Sequence, residues 1–197
     1  ELSVFCAAYR LAPEYPFPAA LDDALYAYRY LLSAGYRGED IFLGGESAGG
    51  GLIFALTLKI KELDLPLPRA LVAISPWADL TFSGESYLTN RKTDPTLSEA
   101  SLRGYANLYA PGQAENPFVS PLLGALNGFP PSLIFAGADE LLYSDAVSLY
   151  EKLIAAGSPS ELHVEKGMWH AYVLYGLPES QRALLRICAF LKEDNKK

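Results

Sequence analysis

The chain has 197 residues and a net charge of −7 at pH 7, with half of its residues hydrophobic and a fifth charged. This length suits one domain, or most of one, with a large buried core, and the composition excludes a disordered polypeptide. Lysines and arginines form no cluster in the acidic sequence, which argues against a nucleic acid as a partner.

The two cysteines, Cys6 and Cys188, each lie in an apolar stretch. This predicts buried thiols in a reducing compartment and leaves one disulfide open as the alternative. The Cys and His spacings predict no metal site, and no motif calls for a cofactor. The sequence has neither an apolar run of membrane-spanning length nor a signal peptide, so we expect a cytoplasmic protein without a membrane span.

Apolar runs alternate along the chain with segments of helical periodicity. In chain order, we predict a strand over 2–9, a helix over 19–34, a strand over 41–44, a helix over 47–63, a strand over 70–75, a strand over 132–136, a helix over 143–156, a strand over 161–165 and a helix within 172–192. A loop rich in proline fills the interval after the first strand. This alternation predicts an α/β fold with a parallel sheet and helices on both faces.

Residues 78–130 differ from the rest, being richer in Pro, Gly, Asn and Ser. They contain one predicted helix, from about Ser98 to Tyr109, with Ser98 as its N-cap. We therefore predict a cap-like insertion over one end of the sheet. The core would then consist of residues 1–77 and 131–197.

The most informative segment is Gly45-Glu46-Ser47-Ala48-Gly49-Gly50, which lies between a predicted strand and a predicted helix. A serine in such a sharp turn can expose its hydroxyl above a sheet as a nucleophile, and flanking glycines leave room for the turn. Taken alone, the motif also fits a glycine-rich turn whose serine caps the helix.

Polar residues also follow two later strands. Asp139 and Glu140 come after the strand at 132–136, and His170 comes after the strand at 161–165. Sites in parallel α/β sheets form beyond the carboxyl ends of the strands, so these side chains should meet Ser47 there. An imidazole removes the proton of a serine hydroxyl, and a carboxylate orients the imidazole.

Several of these assignments have competitors. For the acid, Asp139 is our choice over Glu140, while Asp145 is expected to open the following helix, where a negative charge is favourable. His163 lies inside a predicted strand and is expected to be structural or exposed. Trp77 and Trp169, with Phe82 and Tyr172, are candidates for the wall of an apolar pocket, although aromatic residues in such positions are more often plain core.

The chain resembles the hormone-sensitive-lipase-like branch of the α/β-hydrolases, a group of carboxylesterases and lipases. The segments that carry the resemblance are Tyr9-Arg10-Leu11-Ala12-Pro13-Glu14 with Pro16-Phe17-Pro18-Ala19, Gly45-Glu46-Ser47-Ala48-Gly49-Gly50, Ser75-Pro76-Trp77-Ala78-Asp79-Leu80, Ser120-Pro121-Leu122, Ala136-Gly137-Ala138-Asp139 and Gly167-Met168-Trp169-His170.

The resemblance implies a triad of Ser47 as nucleophile, His170 as base and Asp139 as acid, with the backbone N–H of Ala48 in the oxyanion hole. It implies hydrolysis of short to medium acyl esters through an acyl-enzyme, without a cofactor. The region 78–118 would match part of the family's cap.

One departure from the family pattern concerns the start of the chain. The family carries a His-Gly-Gly-Gly-like loop upstream of the Tyr-Arg-Leu-Ala-Pro-Glu segment, and this sequence begins after the corresponding position. In the family's sheet, a strand from that upstream part lies between the strands that match 2–8 and 41–44. We therefore expect an N-terminally truncated sheet that a preceding segment completes, a homodimer that fills the gap, or direct pairing of 2–8 with 41–44.

Three other functions stay open from the sequence. A peptidase or amidase on the same fold would use the same side chains. A non-catalytic binding protein of this fold would commonly lack one of the three, whereas Ser47, Asp139 and His170 are all present. The chain would be catalytically silent if it is a fragment that lacks the upstream glycine loop.

Overall fold

The computed structural model describes residues 2–193. Within this range four strands form one sheet, in the order β1-β2-β3-β4, and each pair of neighbours runs parallel. The strands are β1 (Phe42–Glu46), β2 (Ala70–Ile74), β3 (Ser132–Gly137) and β4 (Ser160–Glu165). The helices of the same range are α1 (Ala19–Ser33), α2 (Ala48–Glu62), α3 (Ser86–Thr89), α4 (Glu99–Tyr109), α5 (Tyr143–Ala155) and α6 (Pro178–Glu193), with short 3₁₀ helices at Gly38–Asp40, Pro121–Leu123 and Tyr172–Leu174.

Helices cover both faces of the sheet, as the apolar strands predict. On one face, Ile134 of β3 belongs to the same buried cluster as Phe54 of α2 and Leu149 of α5. On the other face, Phe135 packs in a cluster with Phe190 of α6. Because successive strand residues point to opposite faces, a strand buried on both sides needs the continuous apolar run that the sequence has. The predicted α/β fold, with a parallel sheet and helices on both faces, is thereby confirmed for the described residues.

Local sequence explains where two of the helices lie. In α1, Leu21, Leu25 and Tyr28 form a buried stripe at helical spacing against α2. Ser98 caps α4 as predicted, since its side chain accepts a hydrogen bond from the backbone N–H of Ser101. The short helix α3 has no periodic signal and was not predicted.

Residues 2–9 do not form the predicted strand. Among the described residues, β1 pairs with β2 alone, so the proposed direct pairing of 2–8 with 41–44 is wrong. Val4 is 92% exposed, and Phe5 stacks on Tyr30 of α1. An apolar, β-branched run favours a strand only where a neighbouring strand supplies hydrogen bonds, and residue patterns do not reveal that neighbour. Completion by a preceding segment or by a second copy stays a prediction.

The prediction of buried thiols is also wrong. Cys6 and Cys188 are both exposed and both free, so they form no disulfide. Cys6 lies in the unpaired segment 2–9, and Cys188 lies on an outward part of α6. Apolar neighbours in sequence do not bury a residue when the face that carries it points to solvent.

The region 78–130 contains α3, α4 and the 3₁₀ turn at Pro121–Leu123. Its apolar residues Leu80, Tyr87 and Leu102 form a buried cluster with Leu141 and Leu142, which follow β3. This region thus packs at the end of the sheet where β3 ends. Its treatment as a cap-like insertion between core segments 1–77 and 131–197 stays a prediction. Among residues 2–193, the helices are all too short or too polar to traverse a bilayer.

Candidate active site

Ser47 occupies a strained turn between β1 and α2. Its φ of 54° and ψ of −119° lie in a region that L-residues rarely adopt. Gly45 is needed here because a Cβ on it would overlap the backbone carbonyl of Gly49. A Cβ on Gly49 would meet nothing within 4 Å among the described residues, whereas a Cβ on Gly50 would lie 2.9 Å from the Cα of Pro76. Space therefore requires Gly45 and Gly50 but not Gly49.

Backbone hydrogen bonds to the neighbouring strand hold this turn. The N–H of Ser47 donates to the carbonyl of Ile74 at 2.9 Å, and the carbonyl of Ser47 accepts from the N–H of Trp77 at 2.9 Å. The turn is therefore fixed from both sides by the end of β2. Rigid support of this kind is what keeps an unfavourable conformation in place.

His170 comes to Ser47 from the loop after β4. Its Nε2 lies 3.0 Å from the Ser47 Oγ, although the two residues are 123 positions apart in sequence. His170 is 6% exposed, and Ala171 after it has a left-handed φ of 57° that turns the chain into the 3₁₀ helix Tyr172–Leu174. The distance is right for a hydrogen bond from the serine hydroxyl to the ring nitrogen.

The carboxylate nearest to the other ring nitrogen belongs to Glu140. Its Oε2 lies 3.7 Å from the Nδ1 of His170, and its side chain is completely buried. Both Nδ1 and the Glu140 Oε1 are buried without a hydrogen-bond partner among the described residues. A distance of 3.7 Å is too long for a hydrogen bond, but such contacts often tighten only when substrate binds.

Asp139, which the sequence analysis favours as the acid, directly precedes Glu140 but lies in a different environment. It is half-buried, and within residues 2–193 its carboxylate makes no hydrogen bond or ion pair. Its backbone is held by the bond from its N–H to the carbonyl of Met168 at 3.0 Å. The geometry favours Glu140 over Asp139, and the sequence could not choose because neighbouring residues after a strand end point in different directions.

Asp145 lies in the first turn of α5, as predicted, and its carboxylate bonds to the segment after β2. Its Oδ2 accepts hydrogen bonds from the backbone N–H groups of Ala78 and Asp79 at 3.0 and 2.8 Å, so it ties α5 to the segment after β2. Complete burial raises the pKa of Asp145 well above 3.8, and the two N–H donors oppose this rise. Asp79 is also buried, yet hydrogen bonds from Ser83 and Thr81 outweigh burial and lower its pKa.

An apolar cavity of about 340 Å³ lies beside the N-terminal half of α2. Ala48, next to Ser47, is part of its wall, and Trp77 is another part. The remaining lining residues come from the segment after residue 8, from α1 and α2, and from the insertion: Tyr9, Arg10, Leu11, Ala12, Ala20, Gly51, Leu52, Ala55, Leu80, Tyr105, Leu108, Tyr109, Phe118 and Val119.

The other aromatic candidates lie elsewhere. Trp169 is half-buried and packs edge-on against Tyr175, and it does not line this cavity. Phe82 packs edge-on against Trp77 with a ring separation of 6.1 Å and does not line the cavity. Tyr172 is part of the core beneath α6, where burial raises its pKa to about 12. Trp77 alone of these four contacts the cavity. His163 is partly exposed, lies against Phe135 and pairs with Glu161, as expected for a structural residue.

Comparison with known proteins agrees with this geometry. A profile of the alpha/beta hydrolase fold matches residues 1–174. The chain belongs to the α/β-hydrolase fold family.

Individual proteins similar to this chain define a narrower group within the α/β-hydrolase fold family. An acetyl-hydrolase of Streptomyces hygroscopicus is 40% identical over 193 residues, which are 96% of this chain and 64% of that protein. An esterase of Acinetobacter venetianus is 34% identical over 96% of this chain and 64% of its own length. A crystal structure of an esterase from the bacterial hormone-sensitive lipase family is 42% identical with a TM-score of 0.92, covering 95% of this chain and 64% of that one.

These relatives confirm the resemblance to the hormone-sensitive-lipase-like branch. The chain spans about 64% of the length of the relatives that it matches.

Two polar residues of this α/β-hydrolase-fold site were missed by the sequence analysis. Glu46 places its Oε1 3.6 Å from the Nε2 of His170, on the Ser47 side of the ring. Ser75 donates a hydrogen bond to Glu140 at 2.6 Å. Ser75 directly follows β2, so a complete search for polar residues after every strand would have found it. In the described range, no group of three or more acidic, His or Cys residues could hold a metal ion.

Proposed function

We propose that this α/β-hydrolase-fold chain is a carboxylic ester hydrolase that acts through Ser47. The observation that carries the proposal is the 3.0 Å contact between the Ser47 Oγ and the His170 Nε2, made at a strained turn. A serine hydroxyl is a poor nucleophile unless a neighbouring base takes its proton. His170 is buried and close enough to be that base.

The reaction has two steps. The Ser47 Oγ attacks the acyl carbon while its proton moves to the His170 Nε2, and the resulting imidazolium gives that proton to the departing alkoxide. An acyl-enzyme on Ser47 and a free alcohol result. A water molecule then attacks the acyl carbon with His170 again as base, and the carboxylic acid leaves as Ser47 recovers its proton.

The acid of the triad is Glu140 in this proposal, in place of Asp139. When His170 carries the serine proton, it bears a positive charge 3.7 Å from the Glu140 Oε2. A negative charge at that place stabilises the imidazolium and keeps the proton of the neutral ring on Nδ1. Glu140 is fully buried, where solvent screens such an interaction least.

The backbone N–H of Ala48 is the proposed oxyanion donor. Ala48 is the first residue of α2, and the first N–H groups of a helix have no carbonyl partner within the helix. They also lie at the positive end of the helix dipole, which favours a developing negative charge.

We propose short to medium acyl esters as the substrate class. The apolar cavity of about 340 Å³ begins at Ala48 and includes Trp77, which makes it the proposed acyl site, while Trp169 lies outside its wall. Relatives named acetyl-hydrolase and esterase agree with this class.

A substrate panel tests the proposal. We expect the chain to hydrolyse p-nitrophenyl esters of acetate, butyrate and octanoate, with far slower cleavage of the matching anilides and peptide amides. Ser47→Ala should abolish the activity. Preference for amides would make the chain a peptidase or amidase, and equal rates for the chain and for Ser47→Ala would exclude Ser47 as the nucleophile.

A further inference from the structure

Ser75 links the acid of the site to the loop that carries the base. It is fully buried directly after β2, and its hydroxyl bonds to Glu140 and Ala171. We propose that Ser75 is a positioning residue that holds Glu140 and His170 in the geometry for catalysis, an inference that rests on the proposed function.

The Ser75 hydroxyl makes two short hydrogen bonds. It lies 2.6 Å from the Glu140 Oε2, which is the same oxygen that faces the His170 Nδ1. It also lies 2.9 Å from the backbone nitrogen of Ala171, the residue after His170. One oxygen atom thus contacts both partners of the Glu140–His170 pair.

The direction of these bonds follows from the chemistry of the partners. A backbone N–H can only donate, so the Ser75 Oγ accepts from Ala171. The single hydroxyl proton is then left for Glu140, whose Oε2 accepts it. Accepting from one partner polarises a hydroxyl and strengthens its donation to the next.

Glu140 depends on this bond for its position. The other carboxylate oxygen, Oε1, has no hydrogen-bond partner among residues 2–193. Within that range, Ser75 therefore donates the single hydrogen bond that the Glu140 side chain accepts. Without it, the carboxylate would be free to turn away from the Nδ1 of His170.

The backbone places the Ser75 hydroxyl at some cost. The φ of Ser75 is 48°, in the left-handed region that disfavours residues other than glycine. Its N–H is fixed by a bond of 2.7 Å to the carbonyl of Phe135 in β3. A glycine would fit this conformation better, so folding alone does not explain a serine here.

The variants Ser75→Ala and Ser75→Gly test this role, since both remove the hydroxyl while glycine also relieves the backbone. We expect each to lower kcat for p-nitrophenyl butyrate by about 10- to 100-fold, with KM nearly unchanged. The matched control is Ser180→Ala. Ser180 is also fully buried, donates at 2.6 Å to the carbonyl of Tyr172 and accepts from the N–H of Leu177, but does not contact Glu140.

A double-mutant cycle with Glu140→Ala separates positioning from general support of the fold. If Ser75 acts through Glu140, Ser75→Ala should cost little or nothing in the Glu140→Ala background. A full additional loss in that background would overturn the inference. So would a loss of kcat in Ser180→Ala as large as that in Ser75→Ala.

A measurement that does not depend on catalysis distinguishes failure of this inference from failure of the proposed function. The chain contains two histidines, so ¹⁵N-histidine NMR with His163→Gln for assignment can follow the His170 Nδ1 proton alone. We expect Ser75→Ala to shift this resonance or broaden it, and Ser180→Ala to leave it in place. An unchanged resonance in Ser75→Ala would overturn the inference whether or not the chain hydrolyses esters.

Discussion

Replacing Glu140 by glutamine tests the choice of acid, because the change removes the charge and keeps the shape. The His170 ring becomes positive during the reaction with its Nδ1 3.7 Å from the Glu140 Oε2. Unit charges about 4 Å apart interact by about 4 kcal/mol at an effective dielectric constant of about 20. Each 1.36 kcal/mol corresponds to about a tenfold change in rate, so Glu140→Gln should lower kcat by about 10³-fold.

The assay is the initial rate of p-nitrophenyl butyrate hydrolysis over a range of substrate concentrations. KM should change little, since the charge on His170 develops only after substrate has bound. Asp139→Asn is the matched control and should leave kcat close to that of the unmodified chain, because within residues 2–193 the half-buried Asp139 carboxylate makes no hydrogen bond or ion pair. A large loss in Asp139→Asn with normal rates in Glu140→Gln would refute the reasoning and restore Asp139 as the acid.

Three further changes test packing, electrostatics and the cavity. Gly51→Ala should lower the free energy of unfolding, measured by urea titration, by about 1–3 kcal/mol, because the new Cβ would overlap the Trp77 carbonyl. Gly49→Ala is the control and should cost less, because its Cβ would meet nothing within 4 Å among the described residues. Burial raises the pKa of Asp145, so the folded chain keeps a proton that the unfolded chain releases, and stability should fall as the pH rises from about 4. Asp145→Asn should flatten that slope in urea titrations at several pH values. Ala55→Leu would fill part of the cavity. It should lower kcat/KM for p-nitrophenyl octanoate, relative to that for p-nitrophenyl acetate, by about tenfold or more.

Each of these predictions has a contradicting result. Equal stabilities of Gly51→Ala and Gly49→Ala would mean that the Trp77 carbonyl can move aside. Identical pH slopes with and without Asp145 would mean that its carboxyl group is already ionised in the folded chain. An unchanged ratio of octanoate to acetate in Ala55→Leu would place the acyl group outside the cavity.

The alternation of apolar runs and periodic segments predicts the parallel sheet well, since strands buried on both faces need continuous apolar residues. The motif around Ser47 and the position of His170 after β4 likewise predict which residues meet. These signals are local or follow from a topological rule, so one sequence is enough to read them.

Other features depend on geometry that a sequence pattern does not encode. The choice between Asp139 and Glu140 depends on side-chain direction after β3. The strand predicted over 2–9 has the right residues but no neighbouring strand, and the exposure of Cys6 follows from that. The position of Ser75 after β2 can be read from the sequence, but its bond to Glu140 across 65 positions of sequence cannot.

The central claim is that His170 makes the Ser47 hydroxyl reactive. Labelling of the folded chain with a fluorophosphonate, followed by intact mass and peptide mapping, measures this directly. We predict a single adduct on Ser47, formed far more slowly in His170→Ala and at the normal rate in His163→Ala. A folded chain that stays unlabelled, or one that labels equally fast without His170, would contradict the claim.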